Sequence, residues 1–199
     1  MNAIKRICLF AGPNVGKSVA AAWLFAKLKI AGHNADLVQE KAKELAYDGI
    51  KIRKYDQLQL FAEQMRREEL LLRNGVTVVT DSPIRLGLAY GLKYGFPCVD
   101  EMMKVIDAFD ADHPPLNVYL RRDEKDEYQQ AGRYENREQA LEMDKVILEL
   151  LDKAPDGYVI CPAHDLEELL RAVKIVLSGG DLARWSEFCK QHGAKPVDF

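Results

Sequence analysis

The chain of 199 residues predicts an α/β fold, a five-stranded parallel sheet with helices on both faces. Three observations predict it. Short apolar, β-branched runs alternate with longer helix-like runs over most of the length, as in repeated strand–helix–strand units joined by right-handed crossovers. The strand-like runs lack a polar/apolar alternation, which suits strands covered on both sides. Breaker pairs such as Ala31-Gly32, Asp48-Gly49, Asn74-Gly75 and Pro114-Pro115 fall between the runs.

The elements follow in order. Residues 4–10 read as a buried first strand and 18–30 as an apolar helix that stops at Ala31, with Gly32 as its C′ residue. Residues 35–39 form a second strand that ends at Glu40. A short helix over 41–47 precedes a basic loop with Lys51, Arg53 and Lys54. Residues 55–74 carry Leu58, Leu60, Phe61, Met65 and Leu70 to Leu72 at helical spacing, closed by Asn74-Gly75. The run Val76-Thr77-Val78-Val79-Thr80 is a central strand that ends at Asp81. Helices over 83–90 and 99–109 flank a turn, and 116–120 is a fourth strand. The polar stretch 121–134 has almost no core-forming residues. An amphipathic helix over 135–151, a fifth strand over 157–160 and a helix over 166–177 complete the unit. The expected organisation is one domain over 1–180, with a lid over about 121–136, and a C-terminal tail helix within 181–199.

Composition narrows the function classes. Hydrophobic residues make up 48% and charged residues 30%, as in ordinary globular chains, and the net charge is −3, so no overall basic field announces nucleic acid. No apolar run is long enough for a membrane span and the first residues read as a strand, so a cytoplasmic protein is expected. Cys8, Cys98, Cys161 and Cys189 lack the paired spacing of a zinc site and read as structural thiols.

The segment Ala11-Gly12-Pro13-Asn14-Val15-Gly16-Lys17-Ser18 lies between the first strand and the first helix. Backbone N–H groups of such a loop cradle phosphate oxygens beside the positive end of the helix. Lys17 adds a mobile cation for the β- and γ-phosphates, and Ser18 a hydroxyl for Mg²⁺. Gly12, Pro13, Asn14, Val15, Gly16, Lys17, Ser18 and Val19 are the candidate nucleotide-binding residues. Ala11 stands where a first glycine is usual, and Gly12 is expected to take any backbone conformation that a side chain forbids.

Other candidates lie at strand ends, where ligands of doubly wound sheets bind. Asp81 closes a strand as a metal-shell carboxylate does; it or Ser82 would equally cap a helix that begins at Pro83. Glu40 is placed to bind an acceptor or take its proton, or is simply a helix-start carboxylate. Arg121, Arg122 and Arg133 offer guanidiniums to transferring phosphate and bracket a closing lid, or belong to a solvated charged loop. Gln64 and Arg85 are the candidate acceptor contacts. Arg66, Arg67, Asp56, Gln57 and the aromatics Tyr47, Tyr55, Phe61, Tyr90, Tyr94 and Phe96 are weaker ones that suit a wet helix face or the core equally well.

Together these stretches resemble the P-loop nucleoside and nucleotide kinases, within them the AAA-type ATPase/kinase group that includes ribosylnicotinamide kinase-like domains and phage proteins. The resemblance runs from about residue 4 to 177. It rests on residues 11–18, on Val38-Gln39-Glu40, on Thr80-Asp81-Ser82-Pro83, and on Tyr128-Gln-Gln-Ala-Gly-Arg-Tyr134 with the helix sequence at 138–147. It implies a three-layer P-loop NTPase fold and a kinase with ATP and Mg²⁺ as cofactors. Lys17, Asp81, Glu40 and Arg133 would be catalytic, Ser18 and Asp81 would hold the metal, and Arg121 and Arg122 would touch the nucleotide. A small nucleoside or nucleotide is the expected acceptor. Phage members of the wider group suggest 5-hydroxymethyluracil in DNA as an alternative. A regulatory ATPase is a third reading, and a homodimer stays open.

Overall fold

A computed structural model describes residues 4–123, 136–178, 187–188 and 190–191. Five strands, β1 (Arg6–Phe10), β2 (Ala35–Val38), β3 (Thr77–Thr80), β4 (Pro115–Arg121) and β5 (Val159–Pro162), form one sheet in the order β2-β3-β1-β4-β5. Every pairing is parallel. The expected five-stranded α/β architecture is therefore present.

Among the described residues seven helices pack around the sheet: α1 (Lys17–Ile30), α2 (Lys41–Tyr47), α3 (Asp56–Leu72), α4 (Leu86–Lys93), α5 (Val99–Asp112), α6 (Arg137–Asp152) and α7 (Leu166–Leu177). The side chains of β1 sort by parity. Ile7 and Leu9 join a core with Ala20, Leu24, Leu28, Leu169 and Val173, from α1 and α7. Cys8 and Phe10 join a second core with Phe61, Leu88, Ile106 and Ile147, from α3 to α6. Both faces of the sheet are thus sealed by apolar burial, which is what forces a strand such as β1 to be apolar from Ile7 to Phe10.

The register fixes the site. Val38 and Cys8 both lie beside Thr80, so the ends of β2, β3 and β1 abut. The connection after β3 crosses to the far side of β1, which makes the carboxyl end of β1 the point where the chain reverses direction across the sheet.

Most boundaries agree with the sequence pattern, and two differences have local causes. The helix expected from Pro83 begins at Leu86, because Pro83 to Arg85 form a tighter turn in which Leu86 N–H donates to the Pro83 carbonyl. It then runs on to Lys93, where Gly95 at φ 65° ends it. The helix expected from residue 135 begins at Arg137, where Asn136 and Gln139 form a reciprocal capping box. Cys8 and Cys161 are buried, and burial pushes their thiols up, Cys161 to about 12, so both are inert. Cys98 departs from the expectation of a structural thiol, being exposed at the start of α5. Cys189, most of the tail and most of the expected lid, residues 124–135, lie outside the described residues.

Candidate active site

The loop between β1 and α1 is shaped by two residues in the left-handed region, Asn14 at φ 64° and Gly16 at φ 90°. Asparagine tolerates that region better than most side chains, and glycine enters it freely. Gly16 is the N-cap of α1 and offers no side chain to its open N–H groups, and no acidic residue lies in the first turn. A helix terminus of this kind favours an anion. A Cβ built on Gly16 meets nothing within 4 Å, so its positive φ, and not crowding, is what favours glycine there. Ala11 keeps an ordinary negative φ and is fully buried, so alanine serves in place of glycine there.

Gly12 plays a different part from the one expected. Its φ is not positive. It is glycine because α6 leans on it: a Cβ would come within 2.5 Å of Asp144 Oδ1 and 2.7 Å of the Ala140 carbonyl oxygen. Its N–H donates to Asp144 Oδ1 at 2.7 Å and so is not available to phosphate.

Asp144 is the hub of a clamp behind the loop. Its other oxygen accepts from Arg122 Nε at 2.8 Å, and Arg122 Nη2 donates to the Pro13 carbonyl at 2.7 Å. The Tyr119 hydroxyl also bonds the Asp144 carboxylate. Burial first, and that carboxylate second, push the Tyr119 phenol well above its ordinary range, so it stays a donor. Arg122 was expected on the nucleotide. It grips the loop from behind instead, because Asp144 beside it satisfies the guanidinium. Arg121 is exposed at the end of β4. Arg133 lies outside the described residues.

In front of the loop lies a cleft of about 370 Å³. The candidates Pro13 to Val19, Glu40, Gln64 and Ser82 line it, and so do Gln57 and Phe61 on α3, Tyr90 on α4 and Tyr94 at its C-cap. Lys17 Nζ lies across the loop, 2.7 Å from the Ala11 carbonyl and 3.2 Å from that of Gly12. Asp81 is 2% exposed and its Oδ1 accepts from Glu40 N–H at 3.2 Å, tying the end of β3 to the start of α2. The helix-cap alternative for Asp81 is removed, because α4 starts at Leu86 with Arg85 as its N-cap.

Arg85 is not in the cleft. Its Nη2 bonds Asp110 at 2.6 Å and Asp107 at 2.8 Å, and these carboxylates hold the guanidinium charged against the opposing effect of burial. Asp110 also pairs with Arg6, whose Nε bonds Glu68 Oε2 at 2.6 Å. Arg6 is 1% exposed and its guanidinium lies 4.8 Å from the centre of the Phe109 ring. Glu68 in turn accepts from Gln64 Nε2 at 2.9 Å. A charged lattice therefore underlies the floor of the cleft. Its one sequence signal is Arg6 itself, a lone guanidinium in an otherwise apolar strand.

No group of three or more His, Cys, Asp or Glu side chains forms a metal cluster among the described residues. Ser18, on the first turn of α1, brings its hydroxyl to the lining of the cleft. No described helix is long and apolar enough to cross a membrane.

The AAA domain family matches residues 6–168 of the chain. Among solved structures, the chain resembles the YorR protein from Bacillus subtilis, described in complex with phosphorylated GDP. The TM-score is 0.55 at 18% identity, over 85% of this chain and 95% of that one. At that identity the likeness speaks for the fold. Among curated proteins no match is found.

Proposed function

The chain belongs to the AAA domain family of P-loop nucleotide-binding proteins, and from that premise we propose that it is an ATP- and Mg²⁺-dependent phosphotransferase. Its proposed acceptor is a nucleoside or nucleotide. The observation that carries this reading is the shape of the cleft. It does not stop at the phosphate loop but continues between α2, α3 and α4 into a space walled by aromatic and amide side chains. A switch that only hydrolyses nucleotide has no use for a second compartment; a kinase needs one beside the γ-phosphate.

Each residue then has a task. The N–H groups at the start of α1 and the Lys17 ammonium hold the β- and γ-phosphates, Lys17 by exchanging loop carbonyls for phosphate oxygens. Ser18 would hold Mg²⁺, with Asp81 ordering the shell. Mg²⁺ when bound neutralises charge on the β- and γ-oxygens. Glu40 is better placed than Asp81 to take the acceptor proton, because Glu40 lines the cleft whereas Asp81 is buried and already accepts a backbone N–H. As the proton leaves the acceptor oxygen, that oxygen bonds the γ-phosphorus and the bond to ADP breaks. Arg133 is assigned to the transferring group on sequence grounds.

The test is incubation with γ-labelled ATP, Mg²⁺ and a panel of nucleosides, nucleoside monophosphates and hydroxymethyluracil-containing DNA. Label should pass to one small acceptor. Lys17→Ala should lower that transfer by about 10²–10³-fold with the melting temperature unchanged. Release of phosphate without any labelled acceptor would leave the regulatory ATPase reading standing and this one overturned.

A further inference from the structure

Two glutamines of α3, Gln57 and Gln64, lie seven residues apart on one stripe of the helix with Phe61 between them, and all three line the cleft. Both glutamines are buried, at 4% and 6% exposure. Their amides are in different situations. Gln64 Nε2 donates to Glu68 Oε1 at 2.9 Å and to Thr80 Oγ1 at 3.1 Å. Both of its amide hydrogens are therefore used. The amide cannot turn over, because that would point its carbonyl oxygen at the Glu68 carboxylate, which Arg6 fixes at 2.6 Å. Gln57 takes no part in these bonds and faces the same cleft.

We infer that Gln64 reads the acceptor as a fixed hydrogen-bond acceptor, and so selects molecules that bring an N–H or O–H donor to the floor of the cleft. Gln57, two turns nearer the start of the helix, is the adaptable second contact. Phe61 between them, with Tyr90 and Tyr94 across the cleft, suits a flat heterocycle. The shared chemistry is a donor group on a nucleoside, supplied by the edge of the base or by a sugar hydroxyl. Glu68 and Thr80 act through Gln64 and are positioning residues. The inference rests on the phosphotransferase reading for its choice of a nucleoside, while its test does not depend on turnover.

Calorimetric titration of the full chain with the common nucleosides selects the tightest binder. Two analogues of it are then compared, one N-methylated at the base edge and one lacking a sugar hydroxyl. One of the two should bind roughly 10–100-fold more weakly, and which one identifies the donor. In Gln64→Met that deficit should shrink to within about threefold, because the unpaired partner is gone. Glu68→Gln, which allows the Gln64 amide to turn, should shrink it as well, with folding of both variants checked by melting temperature. A deficit that persists in Gln64→Met, two analogues that bind like the parent, or no nucleoside binding at all would overturn the inference. Labelled transfer to some acceptor, observed beside any of those outcomes, would leave the phosphotransferase reading intact.

Discussion

The two ends of the cleft are built from different materials. The phosphate end is made of backbone: a loop with two left-handed residues, an open helix terminus and one lysine, braced from behind by Asp144 and Arg122. The other end, proposed for the acceptor, is made of side chains from α3 and α4, braced from beneath by Arg6, Glu68, Asp110 and Arg85. The difference teaches where specificity can reside. A backbone cradle takes any triphosphate tail, because every residue supplies the same N–H. A side-chain wall held by buried charges can favour one acceptor over another.

The strongest way to break this contrast is to remove the brace under the acceptor end. Arg6→Met leaves Glu68 and Asp110 buried without their shared cation. It should cost about 3–5 kcal/mol in a urea unfolding titration. A loss below about 1 kcal/mol would mean that the lattice is not what holds the floor in place.

Next in size is the brace behind the phosphate end. Gly12→Ala drives a methyl group into Asp144 and the Ala140 carbonyl. It should destabilise by about 1–3 kcal/mol and also weaken nucleotide binding, since α6 and the loop must part. Gly16→Ala provides the contrast. Its φ of 90° makes it strained, by about 1–2 kcal/mol, but it meets no neighbour. Equal effects of Gly12→Ala and Gly16→Ala on stability, with binding unaffected by the first, would dissolve the clamp.

The smallest expected effect concerns Asp156. Its Oδ2 is buried without a hydrogen-bond partner. Burial, and then the Asp110 carboxylate, raise its proton affinity above the ordinary carboxylate value. The folded state therefore holds this proton more tightly than the unfolded chain, and ionising it on raising the pH costs stability. Asp156→Asn should raise the melting temperature slightly at neutral pH, with the gain vanishing as pH falls below the usual carboxylate range. A gain that does not change with pH would place its cause elsewhere.

The same contrast explains what could be read from the amino-acid sequence. The sheet, its parallel strands and the phosphate loop were legible because each depends on local, repeating constraints: apolar runs, breaker residues, a helix terminus after a turn. Glu40, Asp81 and the loop residues do gather at the abutting ends of β1, β2 and β3. Strand-end position says where Arg85 and Arg122 start, not which carboxylate each will meet. Asp107 and Asp110, 22 and 25 residues further on, capture one, and Asp144, 22 residues further on, captures the other. Asp144 was overlooked as a functional residue for the same reason. Its importance arises from packing between elements distant in sequence, to which no periodicity points.

Gly12 carries a final consequence. Since α6 rests directly on this residue and bonds its N–H, the loop cannot rise from the sheet unless a helix of 16 residues shifts with it. The shape that a phosphate requires is accordingly set when the protein folds. An incoming nucleotide meets a prepared seat, and little of its affinity is lost to arranging one.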